Sequence, residues 1–227
     1  MTRKKILDWL NRELEVGRFD DVSNNGLQVA GPEVVTKVAF AVDASLESVK
    51  AAAASGAQLL VVHHGISWGG GIRRLTGGVF GVVKAAIEGG VALAAYHLPL
   101  DASRKYGNNH ELARFLGLKN LKPAFSYHGN VIGVTGVNPH GVKVGVVSGG
   151  AGEFAEEAKS LGCGLYITGE ASWGEVIAAE NCGMEMVCAG HYATETFGVK
   201  ALARAVKAKL KVDTAFLPRA TAVDTEV

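Results

Sequence analysis

Leu59-Leu60-Val61-Val62-His63-His64-Gly65 is the stretch that decides the fold. Four apolar residues in an unbroken run leave no polar face, so a strand here must be covered on both sides, as strands of parallel sheets are. Working outward, Val38-Ala39-Phe40-Ala41-Val42 ends at Asp43, and the run from Val91 to Tyr96 ends at His97. Between these runs, Ser45 to Ala54 and Gly78 to Glu88 have helical patterning. Upstream, Lys4 to Glu15 places Ile6, Leu7, Leu10 and Leu14 on one helical face. Buried strands alternating with helices are βαβ units, and the expected class is α/β, with mainly parallel or mixed sheets flanked by helices.

Lys119 to Ser126, polar and carrying Pro123, interrupts this pattern and reads as a boundary between domains 1–125 and 126–227. The alternative is that the C-terminal part returns to complete the first domain. The second series has strands expected at Val131–Val137, Val142–Val147, Gly164–Thr168, Met184–Ala189 and Val212–Phe216. Helices are expected at Glu153–Leu161, Ser172–Glu180 and Thr194–Ala208, and the tail Pro218–Val227 reads as polar and loose.

In 227 residues, 48% hydrophobic and 20% charged side chains exclude disorder as a description of the whole chain. With 23 Lys+Arg against 22 Asp+Glu there is no basic excess for general nucleic-acid or membrane-surface binding. No uncharged stretch reaches the ~18–20 residues that span a bilayer, and no signal peptide precedes the first helix, so a cytoplasmic location is expected. Cys163, Cys182 and Cys188 form no CxxC pair and read as small buried thiols rather than a disulfide frame or a zinc–sulfur site.

Four of the seven histidines, His63, His64, His97 and His191, fall just after expected strands. That is the end of an open α/β sheet where loops project side chains to a ligand. Asp101 lies four residues beyond His97, and His191 and Glu195 are one helical turn apart on one face. Imidazole and carboxylate donors without thiolate suit zinc, manganese, iron or nickel. Five ligands, His63, His64, Asp101, His191 and Glu195, are more than a single catalytic ion uses. They suit two ions ~3.5–4 Å apart that activate a water for hydrolysis. His97 is a candidate for proton transfer at the same rim. His110, His128 and His140 read as structural or exposed. Trp68-Gly69-Gly70-Gly71-Ile72 is a flexible loop able to close over a site or to let backbone approach. Gly150-Ala151-Gly152-Glu153-Phe154-Ala155 fits the GxGxx(G/A) pattern, with Glu170 twenty residues on. A plain strand-to-helix turn explains it better than a dinucleotide site.

Asn25-Gly26-Leu27-Gln28-Val29, Val62-His63-His64-Gly65, Tyr96-His97-Leu98-Pro99-Leu100-Asp101 with Gly107-Asn108-Asn109, Ile167-Thr168-Gly169-Glu170 and Gly190-His191-Tyr192-Ala193-Thr194-Glu195 stand in one order. Together they resemble the Nif-three-like dinuclear metal centre proteins, whose members carry the name GTP cyclohydrolase I type 2 homologue. The resemblance implies two related α/β layers, a ring-shaped hexamer, and two divalent ions on His63, His64, Asp101, His191 and Glu195, with Glu195 bridging and Asp101 a second candidate for that role. It also places the Asn25 turn and His97 near the site. The chain is a short form without the large insert of longer relatives. Ser172-Trp173 stand where relatives frequently carry a histidine. The expected activity is metal-dependent hydrolysis of a small molecule, such as a nucleotide or heterocycle, with His97 or Glu170 moving protons. The alternative is a non-catalytic ring for metal storage, metal delivery or protein interaction.

Overall fold

A computed structural model describes residues 1–219. The described residues form two compact units, one made of Met1–Leu100 together with residues 199–219, the other of Asp101–Gly198. The first holds helix α1 (Arg3–Glu13), strands β1 (Gly26–Val29) and β2 (Lys37–Asp43), α2 (Leu46–Ala54), β3 (Leu59–His64), α3 (Gly77–Glu88) and β4 (Ala92–Ala95). A short helix α4 (Leu98–Ala102) follows at the junction. In the second lie α5 (Asn108–Phe115), β5 (Lys119–Tyr127), β6 (Asn130–Val137), β7 (Lys143–Gly150), α6 (Ala155–Ser160), β8 (Leu165–Glu170), α7 (Trp173–Asn181) and β9 (Met186–Cys188). Helix α8 (His191–Leu210) begins in the second unit and ends in the first, where β10 (Asp213–Phe216) follows it.

The first sheet has the order β1-β4-β3-β2-β10. Strands β4, β3, β2 and β10 run parallel, and β1 joins antiparallel to β4. The apolar runs are buried on both faces, as their lack of alternation requires. Ala39, Ala41, Leu60, Val62 and Leu93 share one core with Val49, Ala52, Val82 and Ala86 of the covering helices. Local chemistry starts those helices: Thr2 and Ser45 accept from the backbone N–H of Lys5 and Ser48, satisfying donors that the first turn leaves open.

The second sheet, ordered β5-β6-β7-β8-β9, is mixed, with β5-β6 and β6-β7 antiparallel and β7-β8 and β8-β9 parallel. Val134, Val144 and Val146 pack with Leu112 and Ala113 of α5. A reciprocal capping box between Ser172 and Glu175 opens α7. The turn-rich segment around Pro123 lies within β5. A proline is tolerated there because β5 is an edge strand with one side free of ladder bonds. The compact units divide at Leu100 and Asp101, whereas the boundary expected from sequence, 125/126, cuts this strand. β10 pairs in register with β2, so the C-terminal part supplies a strand of the first sheet. All three cysteines are free, and Cys188 is exposed rather than buried, since β9 is the opposite edge. The tail beyond Arg219 lies outside the described residues. Among the described residues no helix is long and apolar enough to cross a membrane.

Leu60 is fully buried in the middle of β3, whereas Val131 of β6 is 49% exposed. Leu60→Ala is expected to cost about 2–5 kcal/mol in urea unfolding, and Val131→Ala less than about 0.5 kcal/mol.

Candidate metal centre

Three imidazoles meet at the carboxyl ends of the first sheet. His63, next to last in β3, is fully buried, and its Nδ1 lies 2.9 Å from the Tyr96 carbonyl oxygen. A carbonyl only accepts, so the Nδ1 of His63 carries the hydrogen and Nε2 is the ring's donor atom. His64 repeats the arrangement with a carboxylate: its Nδ1 lies 2.9 Å from Asp43 Oδ1, and the β2–β3 register sets these two residues side by side. Just past β4, His97 has its Nδ1 2.9 Å from Asp21 Oδ1. One ligand atom each of His63, His64 and His97 lies within 4.8 Å of the others. Three rings that would repel one another if all were protonated are thus gathered where together they could hold a cation.

Asp21 is the hinge pin of this group. Its Oδ2 accepts from Leu98 N–H at 2.9 Å and Asn25 Nδ2 at 2.8 Å, while Asn25 Oδ1 accepts from His97 N–H at 2.7 Å. Burial pushes the Asp21 carboxyl up, but hydrogen bonds from His97, Asn25 and the Ser23 N–H outweigh it and hold the group at about 2. The loop after His64 is anchored by Gln28, whose Oε1 accepts from Ile66 N–H at 2.7 Å and Ser67 N–H at 3.2 Å. A Cβ at Gly65 would collide with that amide and lie 2.6 Å from Ala95 Cβ, so glycine is required there by close approach.

In the second unit, His191 and Glu195 occupy the first turns of α8, with His191 Nε2 3.1 Å from Glu195 Oε1. The Nδ1 of His191 lies 3.0 Å from Glu170 Oε1, again a ring held at one nitrogen by a carboxylate. The hydrogen bond to Glu195 raises the His191 pKa to about 9, with the Glu195 and Glu170 charges prevailing over burial. Glu195 is itself buried. A buried carboxylate against an imidazole demands a positive charge, which a proton supplies on His191 and a divalent ion would supply more strongly. Asp101 is also buried, and its Oδ1 accepts from Asn108 Nδ2 at 2.9 Å and Ser148 Oγ at 3.4 Å. Asn109 ties the same corner together, donating to the Ile132 carbonyl at 2.8 Å and accepting from Ser148 N–H at 2.6 Å.

The structure therefore brings His63, His64 and His97 together in one unit, and His191, Glu195 and Glu170 together in the other. His97 stands level with His63 and His64 rather than behind them. Glu170, with 62% of its side chain exposed, holds His191 from outside. The glycine-rich end of β7 serves the chain's own side chains. A Cβ at Gly149 (φ 72°) would collide with Glu195 Oε1, and one at Gly150 would come within 3.3 Å of Glu170 Oε1. His128 and His140 are exposed, as read. His110 is buried, and its pKa is lowered to about 4 by that burial and by Arg114 and Arg104. Sequence reading passed over Asp21, Asp43, Gln28 and Asn108 as functional residues. Asp43, at the end of an apolar run beside the histidines, had the same strand-end signal as they did. Asp21 had none.

The depressed pKa of Asp21 means its stabilisation is complete above the unfolded value near 4 and is lost as pH falls toward 2. Urea titrations are expected to show roughly 2 kcal/mol of such loss, absent in Asp21→Asn. Gly149→Ala, forcing a side chain into a left-handed backbone against Glu195, is expected to cost about 1–3 kcal/mol. Gly174→Ala, in the open first turn of α7, is expected to be neutral or slightly stabilising in the same assay.

The sequence profile described as Duf34/NIF3 (NGG1p interacting factor 3) matches residues 1–140 and 126–222. A GTP cyclohydrolase 1 type 2 homolog of Pyrococcus horikoshii is 38% identical, over 97% of this chain and 99% of the relative. One of Deinococcus radiodurans is 37% identical, over 95% of this chain and 92% of its own length. Among solved structures, TTHA1606 of Thermus thermophilus superposes with a TM-score of 0.87 at 32% identity, covering 98% of this chain and all of that one. HcgD of Methanocaldococcus jannaschii superposes with a TM-score of 0.84 at 24% identity over 96% of this chain and 98% of its own, a likeness of fold alone. By profile, by full-length identity and by fold, this chain belongs to the Duf34/NIF3 family.

Proposed function

We propose that this chain binds two divalent ions through His63, His64, Asp101, His191 and Glu195, and that it hydrolyses a small molecule such as a nucleotide or heterocycle. One observation carries the reading. His63, His64 and His191 each have Nδ1 held by a carbonyl or carboxylate oxygen at 2.9–3.0 Å, which is how proteins orient imidazoles that ligate through Nε2. Three imidazoles and two carboxylates without thiolate suit zinc, manganese, iron or nickel. Such ions, when bound, supply Lewis-acid activation of water and of the scissile group. The chain's own residues would do the rest. His97, backed by the Asp21 carboxylate, moves a proton at Nε2. Glu170 keeps His191 in its ligating tautomer, and its outward-facing carboxylate is a second proton carrier. The name shared by the relatives, GTP cyclohydrolase 1 type 2 homolog, supports a heterocyclic or nucleotide substrate. The same reading has six copies acting as a ring in the cytoplasm. A second reading, a non-catalytic ring that stores or delivers metal or docks a protein, is favoured by the interacting factor in the family description.

Elemental analysis of chelator-free protein is expected to find two ions per chain, falling to one or none in Glu195→Ala and in His64→Ala. Turnover of a nucleotide panel that follows metal content and disappears in Asp101→Ala supports the hydrolase. Two exchangeable ions with no turnover across the panel support the storage reading, and a chain that takes up none of the four metals defeats both.

A further inference from the structure

We propose that Trp68 is the stacking wall of this site, its indole receiving the flat ring of a planar heterocyclic ligand beside His63, His64 and His97. The inference rests on the small-molecule reading above and adds to it the shape and electronic character of the ligand. Trp68 follows the His63-His64-Gly65 strand end by three residues and is held there from two directions. Its indole N–H donates to the Gly65 carbonyl at 2.9 Å, and its backbone forms a bridge to Ser23. Flanking bonds tighten the loop: Asn24 N–H donates to the Ser67 carbonyl at 3.0 Å, and Gly69 N–H donates to the Val22 carbonyl at 2.6 Å. With Gln28 holding Ile66 and Ser67, the base of this loop is fixed rather than loose. The glycines that follow, Gly69 and Gly71, take positive φ, a backbone conformation that glycine adopts without strain.

The indole is positioned for a guest. Its centroid stands 5.1 Å from the His97 ring at 76°, an edge-to-face contact, and 6.2 Å from His64 at 40°. Among the described residues no other aromatic ring packs against it. An edge-to-face neighbour leaves flat π surface open, and Trp68 remains 38% exposed although Trp9 of α1 is 8% exposed. A tryptophan whose only task was packing would hide its face; this one commits its N–H to the backbone and keeps ring area at the mouth of the histidine group. The neighbours also select the ligand. Histidines that gather a cation repel a second one, so the exposed indole favours an uncharged or anionic π system over a quaternary ammonium group. A planar heterocycle meets both conditions and places its substituents next to the His97 ring.

The test is calorimetric titration of the full chain with guanosine monophosphate, neopterin, ribose phosphate and tetramethylammonium, beside Trp68→Phe and Trp68→Leu, with metal content and thermal midpoint measured on each sample. The two ring-bearing probes are expected to bind at least about tenfold more tightly than ribose phosphate, the strength typical of base stacking on an aromatic side chain. Trp68→Phe should retain most of that advantage and Trp68→Leu should abolish it, with unchanged metal content and folding. Ring-bearing probes that bind no better than ribose phosphate, that bind worse than tetramethylammonium, or that bind Trp68→Leu as well as the unaltered chain each overturn the stacking wall. Metal analysis separates the two failures. A metal-free chain defeats the hydrolase reading whatever the probes do, and a metal-loaded chain indifferent to the ring defeats the stacking wall alone.

Discussion

An imidazole has two nitrogens, and one can be aimed only if the other is held. That constraint organises the candidate centre. The Tyr96 carbonyl, Asp43, Asp21 and Glu170 each take one ring nitrogen, for His63, His64, His97 and His191 respectively. The holders are themselves held. Tyr96 is buried and its phenol donates to Asn11 Oδ1 at 2.9 Å, so the residue whose carbonyl orients His63 is anchored to α1. Asp43 is fixed by the ladder between β2 and β3, and Asp21 by a backbone N–H and an asparagine. Precision at the ring nitrogens is thus a property of the layer behind them, where conservative changes would rotate a ring without removing it.

Close backbone approach is the second requirement, and it is most visible in the second unit. A Cβ at Gly169 would lie 2.6 Å from the Gly149 carbonyl and 2.7 Å from Thr194 Oγ1. Thr194 Oγ1 accepts from Gly149 N–H at 3.1 Å, tying the end of β7 to the first turn of α8. The α8 residues His191 and Glu195 reach the sheet because β7 and β8 present bare backbone there. The polar corner around Asp101 follows the same logic: Asn108 and Asn109, both fully buried, satisfy the carboxylate, the β7 backbone and the Gly198 N–H at once. A buried polar network of this kind is stabilising only when complete, which restricts each position to one residue type.

Much of this was legible in the sequence because the relevant signals are local. His63, His64 and His97 follow apolar runs that can be nothing but buried strands, and His191 and Glu195 are spaced by one helical turn. The strand order and the partnership of Asp21 with His97 depend on contacts between residues far apart in sequence, which no window of residues contains. No helix was expected at α5, which opens on Gly107-Asn108-Asn109, residues with poor intrinsic helix preference. Its two asparagines are spent on a buried network that propensity does not register. Lys119 to Ser126 reads as a domain boundary because it is polar and carries Pro123, and a strand at a free edge need bury little of itself. Trp68 sat in a run of glycines that suggested looseness. The rigidity comes from Gln28, thirty-eight residues upstream of Ile66.

The order of strands in the first sheet carries a consequence for how the chain is made. β10 covers the outer edge of β2, and Leu217 N–H donates to the Phe40 carbonyl at 2.8 Å beyond the ladder. During synthesis β2 emerges early, yet its neighbour on that side appears only after every strand of the other unit has been translated. The unit that starts first therefore finishes last. Through most of elongation the nascent chain carries an unpaired parallel edge, rich in valine and alanine, open to mispairing with another chain. Any truncation before residue 213 leaves that edge permanently bare.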